Sequence, residues 1–564
     1  MTATGMFRNT DRHFSPWTAR TAWAAGLTVA ALALFLCYLR DAATLGPNSD
    51  PAGQALQAWQ MLHGNPLLDG WWLGDVSFYT GELPLNVLIE TVTGLRPGEI
   101  HILAAVVYTA VLLLAALLAR GRTDGRADGR AGDRGAARAL LAAGIMLAPS
   151  AYLGTRVLLQ GPDHLGTMIP VLAALLVLDR APESWWVPAA AGVLLTWAQV
   201  NDEQDTFAGA LAVAVACAAR AGAALHGHWR PHWRSHWHQR PPRGLPRELW
   251  YDASLLAAAL ASIAAAHLVL RAIHASGGFL VPPPKNGLGF APAAALPGQA
   301  RDAGYNVLIL FGANFTDQGT VLGVAFAVAH LAGVALGLAG LLTGMRRFFT
   351  RLDRVSQALV AGTLIILAAG TLGKYMAPVT GAHELIPVLP FAAALAGRLL
   401  GDRVSRARLT PALAAGLAGL AVMAGALAYD DTRPEPAPQD AALATWLADH
   451  HLTSGLAGYW ESNITTVDSG GRVRLAAVTN GGTTAEPYES DATWYDPVRY
   501  RADFIVATAG SIDLSPVSAA AVRARYGAPE RVYRFERYTI MVYGYNLLTR
   551  VTVPAEPWKG FRPG

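Results

Sequence analysis

The sequence predicts an α-helical polytopic membrane protein that carries a small extracytoplasmic α/β domain after its last span. Three observations predict it. Charged residues make up only 15% of the 564 residues and hydrophobic residues 53%, where a soluble domain carries about a quarter charged. The mean hydropathy is +0.30, and the apolar residues gather in runs long enough to cross a hydrocarbon core of about 30 Å. After about Asp430 the apolar runs stop, a Pro-rich segment "YDDTRPEPAPQD" follows, and short strand-like and helix-like segments take over.

The elements follow in order. Met1 to Arg20 is polar and holds Arg8, Arg12 and Arg20, so the first apolar run, about Thr21 to Leu39, enters the membrane from a basic, cytoplasmic N-terminus. That run lacks a small-residue cleavage site and further spans follow, which argues against a signal peptide. A second span runs from about Ile100 to Leu118. The segment after it, "RGRTDGRADGRAGDRGAAR", is rich in Arg and Gly and is predicted to be a cytoplasmic linker. Further spans are predicted near 139–159, 165–180, 185–200, 206–223, 251–274, 318–342, 355–373, 384–400 and 409–428, about eleven in all. The basic loops "HGHWRPHWRSHWHQRPPRGLPREL", "MRRFFTRLDR" and "RLLGDRVSRAR" fall on the same side as the first two. This places the N-terminus in the cytoplasm and the C-terminus outside a plasma membrane. The predicted division is a transmembrane domain over 1–429 with an external loop over 41–99 bearing lateral helices, a linker over 430–440, and an α/β domain over 441–564. In that last part "RVRLAAV", "DFIVATA", "RVYRFE" and "YTIMVYGY" have strand composition, and "AALATWLADHHL" and "SPVSAAAVRARYG" have helical composition.

Composition excludes some functions. The net charge of +4 is small and its Arg sits in a few loops, so it speaks for topology and not for nucleic-acid binding. Cys37 and Cys217 lie inside apolar runs without metal spacing. Only three lysines, Lys285, Lys374 and Lys559, stand against many arginines in a chain rich in Ala and Gly. That usage points to a GC-rich bacterial genome.

Acidic residues gather on the predicted outer face. The first loop holds Asp50, Asp69, Asp75, Glu82 and Glu90 with Trp59, Trp71, Trp72, Phe78 and Tyr79, and no Lys or Arg. "RVLLQGPDHLGT" adds Arg156, Asp163 and His164; "QVNDEQDT" adds Asp202, Glu203 and Asp205; "GKYMAPVTGAHE" adds Lys374, His383 and Glu384. Ionisable groups at a membrane boundary are costly unless paired or solvated in a cavity, so four clusters at one level predict a shared polar cavity. Each carboxylate taken singly is as well explained as a marker of the water interface, Asp69 and Glu90 above all. "DPAGQALQAWQMLHG" predicts an amphipathic helix with Asp50 as its cap, Pro51 at its first position and Trp59 at the membrane interface.

A first span followed by an external Asp, a long external loop with lateral helices and many further spans resembles the GT-C superfamily of membrane glycosyltransferases. Protein O-mannosyltransferases and the aminoarabinose transferases of lipid A belong to it. "RVLLQGPDHLGTMIPVLAALLVLDR" resembles the family's second external region, and "HELIPVLPFAAALAGR" its late span. The chain departs from the family where Asp50 is followed by Pro51 and not by Glu, so a second catalytic acid has to come from Asp75, Glu82 or Asp163. The resemblance implies transfer of a sugar from a polyprenyl-phosphate donor to a cell-envelope glycan or protein, outside the membrane. It implies Asp50 as general base with Asp163 as second carboxylate, and Asp75, Glu82, His164, Glu203 and His383 as acceptor or metal ligands. It implies Arg156, Lys285 and Lys374 on the donor phosphate, and a divalent metal (Mg, Mn or Ca) as one use of the carboxylates. Trp59, Trp71, Trp72 and Tyr79 suit stacking on a sugar or isoprenoid as well as they suit an interfacial aromatic belt. A lipid or sugar transporter, or a non-catalytic membrane scaffold, is the alternative; no internal repeat favours the transporter.

Overall fold

The computed structural model describes residues 16–74, 76–122, 129–161, 164–229, 247–281, 289–316, 318–374, 376–405, 411–436, 440–509 and 517–554. Each of the eleven apolar stretches contains a helix. In chain order the helical part runs α1 (Pro16–Ala42), α2 (Ser49–Leu62), the short strand β1 (Trp71–Trp72), α3 (Glu82–Thr93), α4 (Gly98–Arg120), α5 (Gly129–Met146) and α6 (Leu153–Leu159). It continues with α7 (Met168–Arg180), α8 (Val187–Asn201), α9 (Ala212–Trp229), α10 (Arg247–Ala275) and α11 (Leu296–Leu310). The last four are α12 (Val321–Arg347), α13 (Arg354–Leu372), α14 (Val388–Ser405) and α15 (Pro411–Asp430). Among the described residues, seven helices are long and apolar enough to cross a membrane. The other apolar stretches are shorter helices or are interrupted, as where 139–159 splits into α5 and α6; the candidate span Thr206–Leu225 itself opens with a π-helical turn, Thr206–Leu211.

Helix α14 is the hub, packed by α4, α5, α12 and α13. Small residues permit this. A Cβ on Gly340 would meet the Ala396 backbone, and one on Gly397 would meet the Arg138 carbonyl, so these helices touch backbone to backbone. The basic residues gather at one end of the bundle. Arg138 grips Asp402 with two hydrogen bonds of 2.7 and 2.6 Å, and Arg398 reaches Asp179 at 2.8 Å and Asp353 at 3.1 Å. The helices α2 and α3 and the C-terminal part lie at the other end, because α4 runs from beside α3 down to Arg120 in the basic cluster.

The C-terminal part contains α16 (Ala441–Asp449), β2 (Ser454–Ala457), α17 (Tyr459–Asp468), β3 (Arg474–Thr479), β4 (Thr484–Ala485) and β5 (Ser490–Asp491). It ends with β6 (Phe504–Thr508), α18 (Ala519–Tyr526), β7 (Arg531–Phe535) and β8 (Tyr538–Val542). Six strands form one mixed sheet in the order β4-β3-β2-β6-β8-β7, with β2 parallel to both β3 and β6. Strand β6 explains the layering. Phe504 and Val506 face Leu443 and Leu447 of α16, while Ile505 and Ala507 face Val522 and Tyr526 of α18. Successive side chains point to opposite faces, so a strand covered on both faces is apolar throughout.

Asp468, at the end of α17, has both carboxyl oxygens buried without a hydrogen-bond partner. Burial, and then the nearby Asp440 charge, push it up to about 7. An acid that holds its proton more tightly when folded stabilises the protein fully below the ordinary carboxylate range, and that contribution is lost as pH rises through 7. Asp468→Asn should therefore raise the melting temperature at pH above neutrality, by an amount equivalent to roughly 2 kcal/mol, and gain nothing in acid. Thermal unfolding of the two proteins across pH checks this.

Candidate functional site

The site is built where the first loop, the connections after α6, α8 and α13, and the C-terminal unit converge. Asp50 lies in the first turn of α2, half-buried. It is not the cap: Asn48 caps the helix and its side chain accepts from the Asp50 N–H at 3.1 Å. The helix does not lie along a membrane surface either. Ser49 and residues Pro51 to Ala58 are buried, because α2 is enclosed between α3, α4 and α17. Ala52, Gly53, Ala55 and Ala58 are small enough to allow that enclosure.

The second part of the site is a buried polar cluster. Glu82, first residue of α3, is fully inaccessible and accepts from Asn201 Nδ2 at 2.6 Å. Asn201 Oδ1 in turn accepts from the Gly81 N–H at 2.8 Å. His164 is buried, and its Nδ1 pairs with Asp202 Oδ2 at 2.6 Å. Its φ is 52°, a left-handed backbone that a bulky residue adopts at a cost and that recurs at functional sites. Asp205 is also buried, and one of its oxygens has no hydrogen-bond partner among the described residues. Burial, then the Asp202 charge, push its carboxyl well up, against smaller opposing effects of His164 and Thr167. A π-helical turn, Thr206–Leu211, starts directly after Asp205, a geometry frequent at functional sites.

Glu203 does not join them. Its side chain is 57% exposed and its imidazole neighbour His267 stands 3.9 Å away. The neighbouring Asp202 and Asp205 are the residues of "NDEQD" that face inward. Glu384, on the 3-10 turn Thr380–Leu385 that also carries the half-buried His383, receives two hydrogen bonds from Gln204, to its carbonyl at 2.7 Å and its carboxylate at 3.0 Å. Lys374 is exposed. Its amine lies against Gly289, the residue that leads out of the segment carrying Lys285. Arg156 is exposed on α6. Asp75, Asp163 and Lys285 lie outside the described residues; Gly161, just before Asp163, packs on Pro51 beside Asp50. Among the described residues no three His, Cys, Asp or Glu are placed to hold a metal ion.

Of the loop's aromatic residues, Trp71 and Trp72 are structural. Trp71 is 2% and Trp72 8% exposed. As strand β1 they pair antiparallel with β5 of the C-terminal unit, and Trp72 enters that unit's own core. They therefore hold the two parts together and present no face to a sugar. Tyr79 donates to the Pro66 carbonyl at 3.0 Å and packs on Phe279; Trp59 is half-buried against His63. Glu90 is not a solvated helix-end residue. It is buried, and burial and the Glu99 carboxyl push its own carboxyl up.

The C-terminal unit contributes what sequence reading missed. Tyr459, at the start of α17, donates to Asp50 Oδ1 at 2.6 Å, and its hydroxyl also stands 3.1 Å from Glu489 Oε2. Gln60 of α2 donates to Asp491 Oδ2 at 2.7 Å.

No protein-family model matches the chain, and no curated protein matches it. Solved structures do. ArnT from Cupriavidus metallidurans bound to undecaprenyl phosphate superposes with a TM-score of 0.55 over 92% of this chain and 98% of that one, at 12% identity. The chain has the GT-C fold. The apo form of the same ArnT gives a TM-score of 0.50 at 13% identity, over 93% and 98% of the two chains. The Archaeoglobus fulgidus oligosaccharyltransferase tethered to an acceptor peptide gives 0.46 at 15% identity, over 88% and 70%. The likeness to ArnT spans the helical bundle and the C-terminal unit together.

A Cβ on Gly166 would overlap the Glu82 carboxyl from its Cγ to its oxygen. Glu82 is enclosed and held by Asn201, so it cannot swing aside cheaply. Gly166→Ala should cost about 1–3 kcal/mol by overpacking, read as a lower melting temperature in detergent together with reduced activity.

Proposed function

We propose that this protein moves a sugar from a polyprenyl-phosphate donor to a hydroxyl of a cell-envelope acceptor at the extracytoplasmic face of the plasma membrane. The observation that carries the reading is the half-buried Asp50 carboxylate, fixed at a helix start where the first loop meets the C-terminal unit. The shared fold with an ArnT that binds undecaprenyl phosphate, a polyprenyl phosphate, supports the donor class. The Arg-rich loops at the opposite end of the bundle support an outward-facing site.

In the proposed reaction Asp50 takes the proton of the acceptor hydroxyl as its oxygen bonds to the anomeric carbon. The bond from that carbon to the phosphate oxygen breaks and its electron pair leaves with the lipid phosphate. The proton ends on Asp50, and glycosylated acceptor and polyprenyl phosphate are the products. Lys374, with Lys285 and Arg156, supplies cations for the charge growing on the leaving phosphate. Asp163 serves as the second carboxylate, and the buried Glu82 and Asp202 hold the surrounding loops in place through Asn201 and His164.

The test uses purified protein in lipid with polyprenyl-phosphate mannose or arabinose and cell-envelope acceptors. Sugar should appear on the acceptor with polyprenyl phosphate released one for one. Movement of intact donor lipid across the bilayer without cleavage would replace this reading with a transporter.

A further inference from the structure

The C-terminal unit does not stand apart from the proposed reaction centre. Strand β5 pairs with β1 of the first loop, Gln60 of α2 donates to Asp491 Oδ2 at 2.7 Å, and α17 packs along α2. The fit is close at Gly53, where an added Cβ would overlap the Glu489 carboxylate and crowd Asn463. Gly53 lies one helical turn after Asp50, so the lack of a side chain there lets Glu489 reach the Asp50 end of α2. Glu489 itself adopts a φ of 47°, a conformation that costs a non-glycine residue and persists where surrounding structure enforces it.

These contacts place one phenol between two carboxylates. The Tyr459 hydroxyl has a single proton, and its shorter contact, 2.6 Å, is to Asp50. Glu489 at 3.1 Å confines the hydroxyl from the other side. The Tyr459 ring is braced by Trp460 and Tyr488, at 5.2 and 5.5 Å between centroids. Burial, then Glu489 and Asp50, push the phenol well up, so it stays a donor throughout the working pH range. Besides Tyr459 and Glu489, the ionisable group packed nearest among the described residues is Tyr488, whose ring stands against that of Tyr459.

We infer that Tyr459 of the C-terminal unit is the positioning residue for the Asp50 carboxylate: it holds Oδ1 and thereby aims Oδ2 at the acceptor hydroxyl. The inference rests on the reading of Asp50 as the base. A donor to the ionised form favours that form, so Tyr459 also sets the pH at which the base becomes available.

The experiment measures kcat, KM and the acid limb of the pH–rate profile on the full chain in lipid. Tyr459→Phe keeps the ring and removes the hydroxyl. It should lower kcat about tenfold with KM within about twofold and move the acid limb up by about one pH unit. 3-Fluorotyrosine at position 459, nearly the same size and a stronger donor, should move the limb down. If Tyr459→Phe fails to fold, the fluorotyrosine protein decides alone. Folded variants whose acid limb stays at the wild-type position would overturn the inference, while loss of transfer in Asp50→Asn would show that the reading beneath it stands. Full transfer by Asp50→Asn would instead remove that reading.

Discussion

Asp50→Asn should lower sugar transfer by about three orders of magnitude, within the range of a positioned general base, and leave the protein folded. The substitution keeps the shape of the side chain and its ability to accept from Tyr459 at Oδ1. It leaves the Asn48 cap intact, because that bond is made by the Asp50 backbone N–H. What it removes is the lone pair that takes a proton, together with a charge in the first turn of α2 worth about 0.3–1 kcal/mol to the helix. Transfer and melting temperature measured on one preparation separate the two effects. A folded Asp50→Asn protein that transfers at the wild-type rate would move the base to Asp75, Glu82 or Asp163.

The extent to which this site was legible in the sequence follows from how local each signal is. Spans are local: an apolar run carries its own message, and each predicted stretch holds a helix. Lengths were less legible, because the break between α5 and α6 and the π turn before α9 depend on neighbours. Strands β3, β6, β7 and β8 were legible because their apolar content is continuous or alternating. Trp71 and Trp72 were not, since aromatics among carboxylates look like a sugar platform until β5, far along the chain, is seen paired with them. Three acids in "NDEQD" look alike in sequence, and only the fold turns Asp202 and Asp205 inward and Glu203 out. Tyr459 had one usable signal, the helical character of "YWESNITTVD" directly after Gly458, but nothing in that segment names Asp50 as its partner.

The largest stability effect is expected far from the site, at Arg398. Its side chain is 9% exposed. It hydrogen-bonds Asp179 at 2.8 Å, Asp353 at 3.1 Å, the Leu118 carbonyl at 2.7 Å and Ser356 at 3.1 Å. One planar fork thereby ties α14 to the ends of α4, α7 and α13. Removing one partner of a buried ion pair leaves the other charge buried and uncompensated, at about 3–5 kcal/mol. Arg398→Met should therefore cut accumulation of folded protein in the membrane several-fold. Arg398→Lys should rescue it only partly, because a point charge cannot serve four acceptors set around a fork. Combining Arg398→Met with Asp179→Leu should recover part of the loss, since an apolar pair carries no stranded charge. The protein that does fold should retain a wild-type acid limb, because Arg398 sits at the opposite end of the bundle from Asp50. A limb shifted by Arg398→Met as far as by Tyr459→Phe would mean that the two ends are coupled through α4 and α14, and that the helical bundle does more than hold the first loop in place.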